Sequence, residues 1–156
     1  MHGKQKASAR RIATIIVVGS LSVGGISTAY SKSPESMACD GSEPQYSLDQ
    51  QIAGCTALIA QNPDNPNNYS AFNNRCETYW EKRQYDLAIA DCNRSIQLKP
   101  DFSEAFNNRG LAYSGKGQYD QAIADYQQAL KLNTNVKNAA VNLRKAQEAK
   151  AKAAAN

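Results

Sequence analysis

Apolar residues recur at helical spacing through most of the chain. Leu48, Ile52, Cys55, Leu58 and Ile59 predict a helix over 48–61, with Asp49 as a first-turn acid. The run Asn62-Pro63-Asp64-Asn65-Pro66-Asn67-Asn68 cannot continue it and reads as a loop. A second helix is expected over 69–82 with Phe72, Cys76 and Tyr79 inward, and a third over 85–98 with Leu87, Ala88, Ile89, Cys92 and Ile96 inward, ended by Pro100. Arg83-Gln84 is the turn between them. The next pair is expected over 103–115, burying Phe106, Gly110 and Tyr113, and over 119–132, burying Ala122, Ile123, Tyr126, Ala129 and Leu130. Gly115-Lys116-Gly117 joins the two. A last helix runs from Val136 to about Ala151. Val136, Ala140 and Leu143 are expected on the preceding pair, and Lys137, Arg144, Lys145 and Lys150 on the opposite face. Residues 30–46 carry Ser31, Ser33, Pro34, Gly41 and Pro44 and predict irregular chain, with at most a short helical turn near Cys39.

The pattern between Tyr69 and Thr134 is written twice, 34 residues apart. Asn73-Asn74-Arg75 recurs as Asn107-Asn108-Arg109, Tyr79 as Tyr113, and the run Gln84 to Asp91 as Gln118 to Asp125. Self-similarity at that period predicts a solenoid of stacked helix pairs, in which each pair needs neighbours to bury its apolar face. The two copies read Phe72-x2-Arg75-Cys76-x2-Tyr79 then Ala88-x3-Cys92, and Phe106-x2-Arg109-Gly110-x2-Tyr113 then Ala122-x3-Tyr126. Over this stretch the chain resembles the tetratricopeptide (TPR) family, with Phe for the family's Trp, Arg for its Leu, and Thr134 where Pro is usual. The resemblance implies an all-α, short α-solenoid of TPR helix hairpins. Gly110, Cys76, Ala88 and Ala122 are small where helices meet closely, and Phe72, Phe106 and Tyr126 fill the wider gaps. The divisions expected are 69–102 and 103–136 as repeats, 48–68 as the helix and loop of a degenerate repeat, 30–47 as an irregular N-terminal segment, and 137–156 as a C-terminal capping helix and tail.

Charge changes the picture little. The formal net charge is +4, but Lys4, Lys6, Arg10 and Arg11 account for all of it. Residues 30–156 are neutral, which argues against nucleic acid as a partner. Residues 1–29 have the parts of a secretory signal: the basic run Lys4–Arg11, the apolar core Ile12–Ile26, and the small residues Ser27-Thr28-Ala29. Cleavage is expected after Ala29, with Ser31 as second choice, leaving no membrane attachment. An uncleaved anchor is the alternative, although Gly19, Ser20 and Ser22 interrupt a core already short for a span of about 20 residues. A periplasmic or fully secreted protein follows, expected to be a monomer.

Four cysteines in an exported chain suggest two disulfides. Cys39 to Cys55 and Cys76 to Cys92 have equal spacing. Shifting the earlier segment by 37 places Cys55 on Cys92, Pro63 on Pro100 and Cys39 on Cys76. Cys76 and Cys92 lie eight residues either side of Gln84, at one height in an antiparallel hairpin. The pairs Cys39–Cys55 and Cys76–Cys92 are expected, each worth roughly 3 kcal/mol for a loop of about 15 residues. Reduced core thiols are the alternative for the second pair. Zinc is a poor reading, with no Cys-x2-Cys pair and His2 as the lone histidine.

Without histidine beyond the leader, and without a phosphate-binding loop, catalysis, metals and cofactors are not expected. The TPR resemblance implies a concave groove, lined by the first helix of each pair, that takes a peptide or protein. The candidate lining is Asn73, Asn74, Glu77, Trp80, Asn107, Asn108 and Leu111. The amides suit peptide backbone, and exposed Trp is enriched at binding hot spots. Equally open is that the asparagines are ordinary solvated residues and Trp80 packs on the degenerate repeat. Asn73 and Asn107 stand where some TPR domains place a carboxylate-binding lysine, so that specificity is not implied. Arg75 and Arg109, in place of a core leucine, are expected to snorkel or to pair with an acid of the next helix. The competing function is a structural or accessory subunit of a cell-envelope assembly, using the convex face or the last helix.

Overall fold

The computed structural model describes residues 32–41 and 45–155. The leader expected over 1–29 lies outside the described residues. The order is α1 (Pro34–Cys39), α2 (Leu48–Gln61), a 3-10 turn (Pro66–Asn68), α3 (Tyr69–Glu81), α4 (Tyr85–Leu98), α5 (Ser103–Gly115), α6 (Tyr119–Leu132) and α7 (Ala139–Ala154). They form an all-α solenoid in which α1–α2, α3–α4 and α5–α6 are successive hairpins and α7 closes the stack.

Local chemistry sets the ends. Ser33 accepts from the Ser36 amide ahead of Pro34, and Ser47 with Gln50 forms a capping box at α2. The α3–α4 and α5–α6 turns are the same device. Gln84 N–H reaches Tyr79 O at 2.9 Å, Gln118 N–H reaches Tyr113 O at 2.9 Å, and the residue before each is left-handed: Arg83 at φ 59° and Gly117 at φ 74°. Glycine takes that conformation freely and arginine does not. Beyond Pro100, Lys99 lies over the rings of Tyr69 (4.5 Å) and Phe102 (5.5 Å), which meet edge to face.

The core is built from small side chains. Cys76, Ala88, Cys92 and Ala112 form one cluster, Cys39, Cys55 and Ala71 a second, and Ala122, Tyr126 and Ala146 a third. Helices therefore run close together, and disulfides join Cys39 to Cys55 and Cys76 to Cys92. The buried stripes are narrower than the apolar pattern predicts. Leu87 is 50% exposed, since Ala88, Cys92 and Ser95 make the close face of α4. Phe106 and Tyr113 are half-buried rather than enclosed.

The N-terminal hairpin shows what a truncated repeat retains. A six-residue α1 remains, where mostly irregular chain with a short helical turn near Cys39 was expected. Its Cys39 meets Cys55 with Cα atoms 4.4 Å apart, against 5.5 Å for Cys76–Cys92. The closer approach explains Gly54, whose added Cβ would stand 2.7 Å from Ala38 Cβ and 2.8 Å from the Glu35 carbonyl.

The C-terminal helix begins at Ala139, not Val136, behind a left-handed Asn138 (φ 63°). Its inward set is accordingly Ala139, Leu143 and Ala146, and the expected inward Ala140 is exposed. Counting the 34-residue interval once more explains the phase: Ala139, Asn142, Ala146 and Lys150 follow Ala105, Asn108, Ala112 and Lys116. α7 thus has the phase of the first helix of a pair.

Candidate functional site

The first helices α3 and α5, with α7 beside them, wall a concavity of about 340 Å³. It brings together Asn73, Glu77, Trp80, Asn107, Asn108 and Leu111, six of the seven residues singled out in the sequence. The seventh, Asn74, faces a neighbouring hollow of about 250 Å³ shared with Glu77, Thr78 and Glu81. The sequence reading missed Asn142, Glu104, Val136, Lys137 and Asn138, which complete the lining. Asn142 could have been found by extending the repeat interval from Asn108.

The asparagines are not simply solvated. Asn73, Asn107 and Asn108 are buried, and their amides form a ladder along the groove. Asn142 Nδ2 donates to Asn107 Oδ1 (3.2 Å), Asn107 Nδ2 to Asn108 Oδ1 (3.4 Å), and Asn108 Nδ2 to Asn73 Oδ1 (3.1 Å). Buried amides need such partners, and the mutual bonds hold the side chains in one orientation. Trp80 is half-buried and packed beside Cys76, Ala88, Cys92 and Ala112. One part of the indole lines the groove and two adjoining hollows.

Arg75 and Arg109 support this wall from behind. Arg75 donates to both Asp91 oxygens (2.6 and 2.8 Å), and Arg109 to both Asp125 oxygens (2.8 and 2.7 Å). Each also reaches the preceding hairpin, Arg75 to Thr56 Oγ1 at 2.9 Å and Arg109 to Asn93 Oδ1 at 2.6 Å. Hydrogen bonding to Asp91 and Asp125 raises both guanidinium pKa values, against the opposing effect of burial. These planar two-point pairs fix the angle between the helices of a hairpin. Between hairpins, Lys82 pairs with Asp49, Lys116 with Asp86 and Lys150 with Asp120. These pairs are solvent-exposed on at least one side and weakly stabilising; their regularity sets the stacking register.

The groove's own carboxylates differ. Solvent reaches Glu77, yet the surrounding wall still raises its pKa, burial contributing most, the Glu81 carboxylate adding to it, and Lys137 opposing. Among the described residues no group of three or more His, Cys, Asp or Glu is placed to hold a metal ion, and no helix is long and apolar enough to cross a membrane. The two bonded cysteine pairs are compatible with an oxidising compartment.

The sequence model of the tetratricopeptide repeat matches residues 69–102 and 103–135. No curated protein sequence matches the chain. Among solved structures it is similar to the first TPR domain of the human RPAP3 protein, at 28% identity and TM-score 0.62, over 67% of this chain and 80% of that one. The first TPR of Spaghetti (RPAP3), bound to the HSP90 peptide SRMEEVD, is similar at 29% identity and TM-score 0.61, over 67% and 80%. The second TPR domain of human RPAP3, in complex with the HSP70 peptide SGPTIEEVD, is similar at 29% identity and TM-score 0.58, over 64% and 81%.

Proposed function

Because residues 69–135 match the tetratricopeptide repeat, we propose that this chain is an exported, non-catalytic protein-interaction module that seats an extended peptide, or an extended segment of a partner protein, in its concave groove. The observation that carries this reading is the ladder of asparagine amides beside a half-exposed indole. Carboxamides held in place can meet a peptide's main-chain N–H and C=O groups without first losing rotamer freedom, and preorganisation of that kind favours affinity. The peptide-bound solved neighbours support the same use of the fold. Export after cleavage behind Ala29 supplies the oxidising compartment that the two disulfides suit.

The test compares the chain with a Trp80→Ala/Asn108→Ala variant in capture from the exported fraction, followed by mass spectrometry. A partner held by the parent and lost by the variant is the expected result. A partner retained by both moves the function to the convex face, where Leu87 is half-exposed, and favours the envelope-subunit reading. N-terminal sequencing of the exported form checks the leader, with Tyr30 as the expected first residue.

A further inference from the structure

The long helices α2 to α7 carry nine carboxylates, and their pairing divides by face. Asp49, Asp86, Asp91, Asp120, Asp125 and Glu148 each form an ion pair with a lysine or arginine. Among the described residues Glu77, Glu81 and Glu104 have no cation within ion-pair distance, and all three stand at the concave groove or its adjoining hollows. Glu104 has only the hydroxyl of Ser103, at 3.0 Å. Glu77 lies three residues before Trp80 and four before Glu81 on α3, and Trp80 shares one hollow with Glu77 and another with Glu81. The cations near the groove, Lys137 and Lys145, lie at the α7 end, and Arg83 beside Glu81 makes no ion pair with it.

We infer that the groove selects a cationic segment: a partner's lysine or arginine lies on Trp80 within reach of Glu77 and Glu81, while the neighbouring main chain follows the asparagine ladder. This rests on the groove being the binding face. The aliphatic stem of such a side chain covers the half-exposed indole, the charge meets the ring face, and the two carboxylates gain the counter-charge that every other carboxylate of these helices already has. The acidic C-terminal peptides held by the solved neighbours would meet like charge at this corner.

The test uses Trp80, the single tryptophan of the chain, as a fluorescent reporter. The full chain is titrated with three pools of short random peptides whose central residues are Lys, Gln or Glu. The Lys pool is expected to bind about tenfold more tightly than the Gln pool, the size of an exposed charge pair and a cation–π contact together, and the Glu pool most weakly. A Glu77→Gln/Glu81→Gln variant, exposed and isosteric, is expected to abolish the Lys advantage while still binding the Gln pool. Equal or tighter binding of the Glu pool, or a Lys advantage that survives in this variant, overturns the inference and leaves the groove reading standing. Binding of no pool, or binding unchanged in Asn108→Ala, overturns the groove reading and the inference with it.

Discussion

The two full repeats have the same helix lengths, turns and ion pairs but different centres. In the first, Cys76 and Cys92 face each other and are joined covalently. In the second, the same two positions are Gly110 and Tyr126, and the ring lies so close that a Cβ on Gly110 would stand 2.7 Å from it. One gap between paired helices is thus closed in two ways: by two small side chains and a bond, or by no side chain and a large one. The first stabilises chiefly by restricting the unfolded chain, the second by burial and contact in the folded state. The comparison also explains why so little bulk suffices. Where the helices are clamped by Arg–Asp pairs at a fixed angle, the core has room only for side chains of this total size.

The largest expected effect comes from removing the aromatic solution. Tyr126 is 1% exposed, and Tyr126→Ala should cost about 3–5 kcal/mol, read as a drop in urea midpoint relative to the parent that is the same size with and without reductant. Next, Cys76→Ser/Cys92→Ser should cost roughly 3 kcal/mol under oxidising conditions. Replacing that pair with the other repeat's solution, Cys76→Gly/Cys92→Tyr, should recover part of the loss. A midpoint no better than that of the serine variant would mean that the two centres are not interchangeable. The smallest effect lies at the turns. Arg83→Gly should stabilise by about 1 kcal/mol and Gly117→Arg should destabilise by a similar amount; equal midpoints for both variants and the parent would show that the turns do not carry the strain their φ angles imply.

Much of this fold was legible because the repeat writes each constraint twice. Helices 48–61, 85–98, 103–115 and 119–132 each end at or within two residues of asparagine, proline or glycine, and the start at Tyr85, after Arg83-Gln84, follows from its copy at Tyr119. The inward faces were harder. Leu87 reads as core by polarity, but its counterpart in the second repeat is Gln121, which belongs to a solvated face; apolar character alone could not say that Ala88 is the contact. The start of α7 was misplaced because Val136 is buried without being helical, while the left-handed turn at Asn138 resets the phase. At the site, it was the family resemblance that implied a lining on the first helices. It did not reveal that the asparagines bond to one another, since that depends on how two hairpins stack. Nor did it separate paired carboxylates from unpaired ones, because five of the six cations come from 16 to 33 residues away, Arg144 beside Glu148 being the local one.

The asparagine ladder has a direction. Every bond in it runs the same way, from α7 through α5 to α3, so none of the internal amides can turn over without its neighbours. The run ends with an uncommitted NH2 group on Asn73 and an uncommitted carbonyl on Asn142. The groove is consequently not the same read from either end. An extended chain laid along it meets donors first from one side and an acceptor first from the other, and the two ways of threading it are unequal in energy before any side chain is considered.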